Sequence, residues 1–268
     1  MNGFAYLRPG DLAEALAFLR EGDEASPLAG GQTLVPTMKQ GLAAPETLID
    51  LGGLAELAGL RVTPTHVEVG AMCPHAAVAA APGVRAACPA LAELAGMIGD
   101  AQVRNRGTIG GSIANNDPAA DYPAACLGLN AVIRTDRRDI AADDFFLGMF
   151  ETALEPGELI VSVAFPRCRE AAYLKFRNPA SRFALAGVFL ARHADGVRIA
   201  VTGAGTDGVF RWSEAEAALG REFTASALAG LAVPVEDMLG DLHAAADYRA
   251  HLVKVLTARA LAVISERS

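Results

Sequence analysis

The stretch Val103-Arg104-Asn105-Arg106-Gly107-Thr108-Ile109-Gly110-Gly111-Ser112-Ile113-Ala114-Asn115-Asn116-Asp117-Pro118-Ala119-Ala120-Asp121 decides how this chain is read. At its centre two glycines stand between the hydroxyl residues Thr108 and Ser112. Glycine leaves the backbone bare and can take positive φ, so N–H groups there can approach an anion with no side chain in the way. The same inventory recurs at Ala29-Gly30-Gly31-Gln32-Thr33. There Thr33 adds a hydroxyl at the start of a short predicted helix, whose dipole favours negative charge. Two such loops suit a long phosphate-bearing cofactor clamped from both sides. A Gly-Gly pair after a strand also serves as a plain turn, and for either loop alone both readings stand.

Nearer the amino terminus, Asp11 and Glu14 predict a capping box opening a helix with apolar Leu12, Ala15, Leu16 and Leu19, stopped near Gly22. A strand ends near Leu28. Strands are expected at Thr47–Leu51, His66–Gly70, Ala131–Thr135 and Leu159–Phe165, and helices from Pro89 to about Gly99 and over Tyr122–Leu129. Beyond Pro166 the character changes. Three strands (Ala172–Arg177, Ala184–His193, Gly196–Thr202) precede helical segments at Ser213–Leu219, with Ser213 and Glu216 as a second capping box, at Thr224–Leu231 and at about Ala244–Ile264. The fold class is α+β: two units meeting near residue 170, over 1–170 and 171–268, the second a three-stranded antiparallel sheet plus helices.

The 268 residues carry a net charge of −8 and are 52% hydrophobic but only 6% aromatic, with a mean hydropathy of +0.27. The core must therefore be mostly Ala, Leu and Val. No apolar run approaches the roughly 20 residues of a membrane span, so an apolar surface meeting partner subunits is expected. Arg104–Arg106 and Arg134–Arg138 are too short to track a nucleic-acid backbone. Met1-Asn2-Gly3-Phe4 lacks a basic segment followed by an apolar one, which predicts no secretory signal and a cytoplasmic protein. Cys73, Cys88, Cys126 and Cys168 are widely spaced and the five histidines include no His-x-x-x-His pair, so neither a metal site nor an iron–sulfur cluster is expected. Gly203-Ala204-Gly205-Thr206-Asp207-Gly208 fits Gly-x-Gly-x-x-Gly, but the helix signal begins only at Ser213, and a loop leaving a strand is the better reading.

The long central motif, together with Ala29-Gly30-Gly31-Gln32-Thr33-Leu34, resembles the signatures of FAD-binding subunits of molybdenum hydroxylases. It is most like the medium subunits of aerobic carbon monoxide dehydrogenases. The likeness extends through Leu154-Glu155-Pro156-Gly157-Glu158-Leu159-Ile160, Tyr173-Leu174-Lys175-Phe176-Arg177 and Ala180-Ser181-Arg182-Phe183-Ala184. It implies a vanillyl-alcohol-oxidase (PCMH)-type FAD domain followed by a smaller flavoprotein C-terminal domain. It also implies that Ala29, Gly30, Gly31, Gln32 and Thr33, with Thr108, Ile109, Gly110, Gly111 and Ser112, wrap the pyrophosphate. Asp117 and Asp121 would bond ribityl or ribose hydroxyls, or cap the following helix. Ile98 and Ile160 would line the adenine or ring pocket, or pack in the core. Lys175 would lie near the flavin ring, where a cation stabilises the anionic reduced form, or be an exposed strand lysine. Thr33 replaces the commoner serine and Ser112 the commoner asparagine; both keep a hydroxyl.

The resemblance further implies a division of labour. Substrate is oxidised at a molybdopterin centre on a large subunit, and electrons pass through [2Fe-2S] clusters on a small subunit to FAD on this chain and then to an acceptor. The complex would be a dimer of heterotrimers. No catalytic acid or base is expected on this chain, and neither glycine loop contains the His or Cys that a covalent flavin link would need. Two other readings are a self-contained FAD-dependent reductase of the same fold superfamily and a scaffold that has lost its cofactor. The sequence identifies neither the substrate of the large subunit nor the electron acceptor.

Overall fold

A computed structural model describes residues 3–22 and 24–267. Met1 and Asn2, in the segment read above for a signal, lie outside the described residues. The chain begins with a parallel three-stranded sheet in the order Ala5–Leu7, Thr47–Asp50, Ala25–Leu28. The helix Leu12–Glu21 covers it, burying Ala15 and Leu19 against Ile49, Leu51 and Leu57. Asp11 caps that helix by accepting from the Glu14 N–H at 2.8 Å, while the Glu14 carboxylate reaches back to the Gly10 N–H, one residue short of a full capping box.

An antiparallel five-stranded sheet follows, ordered Leu60–Val62, His66–Gly70, Ile160–Pro166, Val132–Thr135, Asp139–Ala141. Helices between residues 75 and 128 pack on it. Their small residues (Ala90, Ala92, Ala95, Ala124, Ala125) allow the close approach that an aromatic-poor core requires. The last of these helices also meets the following sheet closely: a Cβ on Gly128 would lie 2.6 Å from the ring of Phe189 in the strand Ala184–Arg192.

The last sheet is antiparallel and has four strands, Glu170–Arg177, Ala184–Arg192, Val197–Gly205 and Gly208–Arg211. This corrects the expected three. Gly203–Gly205 continue the third strand, Thr206-Asp207 form a two-residue hairpin turn, and Gly208, at φ +98°, opens the fourth strand. One face packs on the helix Tyr122–Gly128 and the other on the helices Ser213–Arg221 and Ala246–Arg267. The strand Ala184–Arg192 is thus buried on both faces, which explains its unbroken apolar run. The expected Ser213/Glu216 capping box does not form. Glu216 instead accepts from the Ile199 N–H and pairs with Arg211, tying helix to sheet. The expected helix at Thr224–Leu231 shortens to a 3-10 turn, Ala225–Leu228.

Among the described residues no helix is long and apolar enough to cross a membrane, and no three His, Cys, Asp or Glu side chains are grouped to hold a metal ion. Cys88 and Cys168, far apart in sequence, meet through a side-chain hydrogen bond that pushes the Cys88 thiol up and the Cys168 thiol down.

Candidate functional site

The two glycine motifs meet at one cavity of about 580 Å³. The first leaves the carboxyl end of the parallel strand Ala25–Leu28 and enters the helix Leu34–Lys39. Gly31 takes φ +68°, which turns the chain; Gly30 does not need positive φ. Its glycine has a different cause. A Cβ at Gly30 would sit 2.1 Å from the Arg106 carbonyl oxygen and 2.7 Å from Gly107 Cα, so only a bare backbone can cross there. Gly111 in turn faces Ala29, whose methyl would be 3.4 Å from an added Cβ. The glycines therefore interlock two motifs that are distant in sequence.

Their hydrogen bonding is unequal. Among the described residues, the N–H groups of Gly30, Gly31, Gln32 and Thr33 have no protein acceptor, and all four residues line the cavity. The second motif differs from the expected loop: Ile109–Asn115 is a seven-residue helix capped by Thr108, whose Oγ1 accepts from the Gly111 N–H at 3.2 Å. The amides there are already taken, Ile109 by Cys73 O, Gly110 by Ala71 O at 2.8 Å and Ser112 by Thr108 O. Gly110 is small because a Cβ would lie 2.6 Å from the Ala71 methyl. What this motif offers the cavity is the Thr108 and Ser112 hydroxyls rather than a row of amides.

Of the residues singled out in the sequence, all but Ile109 and Lys175 line the cavity. Ile109 is fully buried in the core. Ile98 and Ile160 border the cavity, Ile160 from the start of its strand. Asp117 accepts from the Ala119 N–H at 2.8 Å, and burial pushes its carboxyl above the usual range. Asp121 does not cap the following helix. Its carboxylate accepts from the Tyr173 hydroxyl and from Lys175 Nζ at 2.9 Å. Burial pushes the Asp121 carboxyl up, while Lys175 and Tyr173 pull the other way. Lys175 is no exposed strand lysine: its side chain is wholly buried behind Asp121 and also donates to Met97 O at 3.1 Å. Its charge is balanced by Asp121 and does not face the cavity as a free cation.

The cavity also takes in residues not singled out as contacts, among them Ser26, His75, Asp100, Asn115 and the segment 180–183. The Ala180–Phe183 motif was visible by resemblance. Its geometry was not: Arg182 takes φ +64° and Phe183 stays 48% exposed at the cavity wall. His75, a single histidine in an alanine-rich helix, gave no signal in the sequence.

A cavity of this size is ordinary for a cofactor. Four successive unpaired amides, a glycine crossing and two flanking hydroxyls suit a pyrophosphate, and the residues therefore fit a dinucleotide. Fold and cavity define an α+β dinucleotide-binding protein. Residues 2–168 match the family described as the FAD binding domain in molybdopterin dehydrogenase, and the chain belongs to that family. It is 37% identical to the carbon monoxide dehydrogenase medium chain of Hydrogenophaga pseudoflava and 34% identical to the glyceraldehyde dehydrogenase medium chain of Sulfolobus acidocaldarius, each match covering 96% of both chains. A solved structure, reconstituted CO dehydrogenase from Oligotropha carboxidovorans, superposes with a TM-score of 0.91 at 32% identity, covering 100% of this chain and 99% of that one. The chain is accordingly an oxidoreductase component of the FAD-binding, medium-subunit type, with the PCMH-type α+β fold.

Proposed function

We propose that this chain holds one FAD without a covalent link and relays electrons from iron–sulfur clusters of a small partner subunit to an external acceptor. A large molybdopterin subunit would perform the substrate oxidation. The observation that carries this reading is the row of unpaired N–H groups, Gly30 to Thr33, at the crossing of the two glycine motifs. These amides would bind the pyrophosphate, helped by Thr33, Thr108 and Ser112. Asp117 would accept from ribityl or ribose hydroxyls. Asp121, held by Tyr173 and Lys175, would face the cofactor through what its two protein partners leave free. Ile98 and Ile160 would shield the cofactor from water.

When bound, FAD would supply the redox chemistry of the relay. This chain's residues orient it and exclude solvent, and no side chain need move a proton to substrate. Residues 1–170 would form the FAD-binding unit and 171–268 the second unit, with the Asp121–Lys175 pair among the bonds that join them. The working assembly would be a cytoplasmic dimer of heterotrimers. The relatives named above act on different substrates, so the substrate of the partner subunit is not read from this chain.

Co-expression with the large and small subunits tests the relay. Substrate should bleach the flavin absorbance of the complex and leave the isolated chain unchanged. Turnover of a nicotinamide donor by the isolated chain would instead favour a self-contained reductase.

A further inference from the structure

His75 begins the helix His75–Ala80, and its backbone N–H donates to Gly107 O at 3.0 Å. The ring is only 4% exposed and borders the cavity. It leans on Tyr122, with centroids 5.3 Å apart and planes at 47°. Its Nδ1 is buried with no hydrogen-bond partner. On the other side, a Cβ at Gly107 would lie 2.6 Å from Nε2, and Gly107 Cα is the atom that a Cβ on Gly30 would approach to 2.7 Å. Nε2 therefore lies beside the point where the two glycine motifs cross.

Buried polar side chains in native proteins are normally hydrogen-bonded, and among the described residues Nε2, the ring nitrogen beside the crossing, has no protein hydrogen-bond partner, so this edge of the imidazole points to a ligand. Burial, and then the nearby Arg104, hold its pKa at about 4, so at neutral pH it carries one N–H and one bare nitrogen. Among the described residues lining the cavity, Asp100, Asp117, Asp121 and Glu158 are acidic and Arg182 is the one arginine or lysine. A dianionic pyrophosphate in such a cavity needs neutral donors rather than net charge.

We infer that His75 is a phosphate-contacting residue, donating its Nε2–H to the FAD pyrophosphate beside the amides of Gly30 to Thr33. This rests on the FAD reading above and adds a side-chain donor to it. The contact also explains why a polar ring is kept in an otherwise alanine-rich helix.

The test uses the full chain stripped of flavin, with affinities for FAD, ADP and riboflavin measured by calorimetry. His75→Phe keeps the ring packing on Tyr122 and removes the donor, whereas His75→Gln keeps an N–H. The Phe variant should bind FAD and ADP about 10-fold or more weakly, the scale of a lost hydrogen bond to a charged group, with riboflavin changed less than about twofold. The Gln variant should lose less than the Phe variant. Equal weakening of riboflavin by His75→Phe would make the ring a packing residue, and unchanged ADP affinity would remove the contact; either overturns the inference. Should the Phe variant fail to fold, 15N-histidine spectra of the wild type decide: the His75 signal must shift with ADP and not with riboflavin. A wild type that bound FAD normally with an unmoved His75 signal would sink this inference alone, and a wild type that bound no FAD would sink the parent reading with it.

Discussion

Replacing Asp121 by asparagine keeps the side chain's size and removes its charge. Lys175, with a side chain 0% exposed against 4% for Asp121, would keep only the Met97 carbonyl and an amide oxygen as acceptors. An ammonium stranded in this way is a buried charge without its counter-charge, and breaking a buried pair by removing one partner costs about 3–5 kcal/mol. For a chain of this size such a loss is a fall in Tm of about 6–20 °C. Urea and thermal unfolding of the flavin-free chain, followed by circular dichroism, measure it. Lys175→Met added to Asp121→Asn should recover at least half of the loss, because a neutral packed pair avoids the desolvation of both charges. An Asp121→Asn penalty below about 1 kcal/mol, or a double variant no better than the single one, would refute the buried ion pair as a stabilising tie between the start of the helix Tyr122–Gly128 and the last sheet.

Further outcomes follow from the same geometry. Gly30→Ala should lower both Tm and flavin content sharply, because its methyl meets the Arg106 carbonyl, and Gly31→Ala should cost only about 1–2 kcal/mol for its left-handed backbone; equal effects in a thermal melt would contradict the crossing. Glu158 accepts from Thr135, Arg138 and the Glu155 N–H, and the Arg138 guanidinium leads in lowering its pKa from 4.5 to about 2. A lowered carboxylate gives stability that is complete above about pH 4.5 and is lost as pH falls toward 2, so Glu158→Gln should flatten the acid limb of a stability–pH curve; an unchanged limb would count against it. Tyr173→Phe removes one donor from the buried Asp121 carboxylate and should cost about 1–3 kcal/mol in urea unfolding. A loss as large as that of Asp121→Asn would mean that Lys175 is not the main partner.

What could be read from the sequence was whatever is written locally. The Asp11 cap, the strand–Gly-Gly–helix order at Leu28–Leu34 and the apolar run Ala184–Ala191 all depend on neighbours within a few residues. The glycine motifs identified the cavity, and most of the residues tied to them line it. Their separate causes were hidden, because the Gly30–Arg106 and Gly110–Ala71 approaches join segments that are distant in the chain. The amides of Ile109 and Gly110 were misjudged for the same reason: Cys73 and Ala71, which take them, lie more than 30 residues away. Asp121 and Lys175 were each read alone, as a cap or hydroxyl acceptor and as a free cation, when each is the other's partner. The fourth strand was missed through a reading of glycine spacing, although Asp207-Gly208 is a common hairpin signal.

If FAD sits non-covalently where the two glycine motifs cross, denaturing the chain purified with its partner subunits must free it. Flavin measured in the protein-free filtrate should approach one per chain, all of it intact FAD. A colourless preparation, or flavin that stays with the precipitated protein, would contradict it.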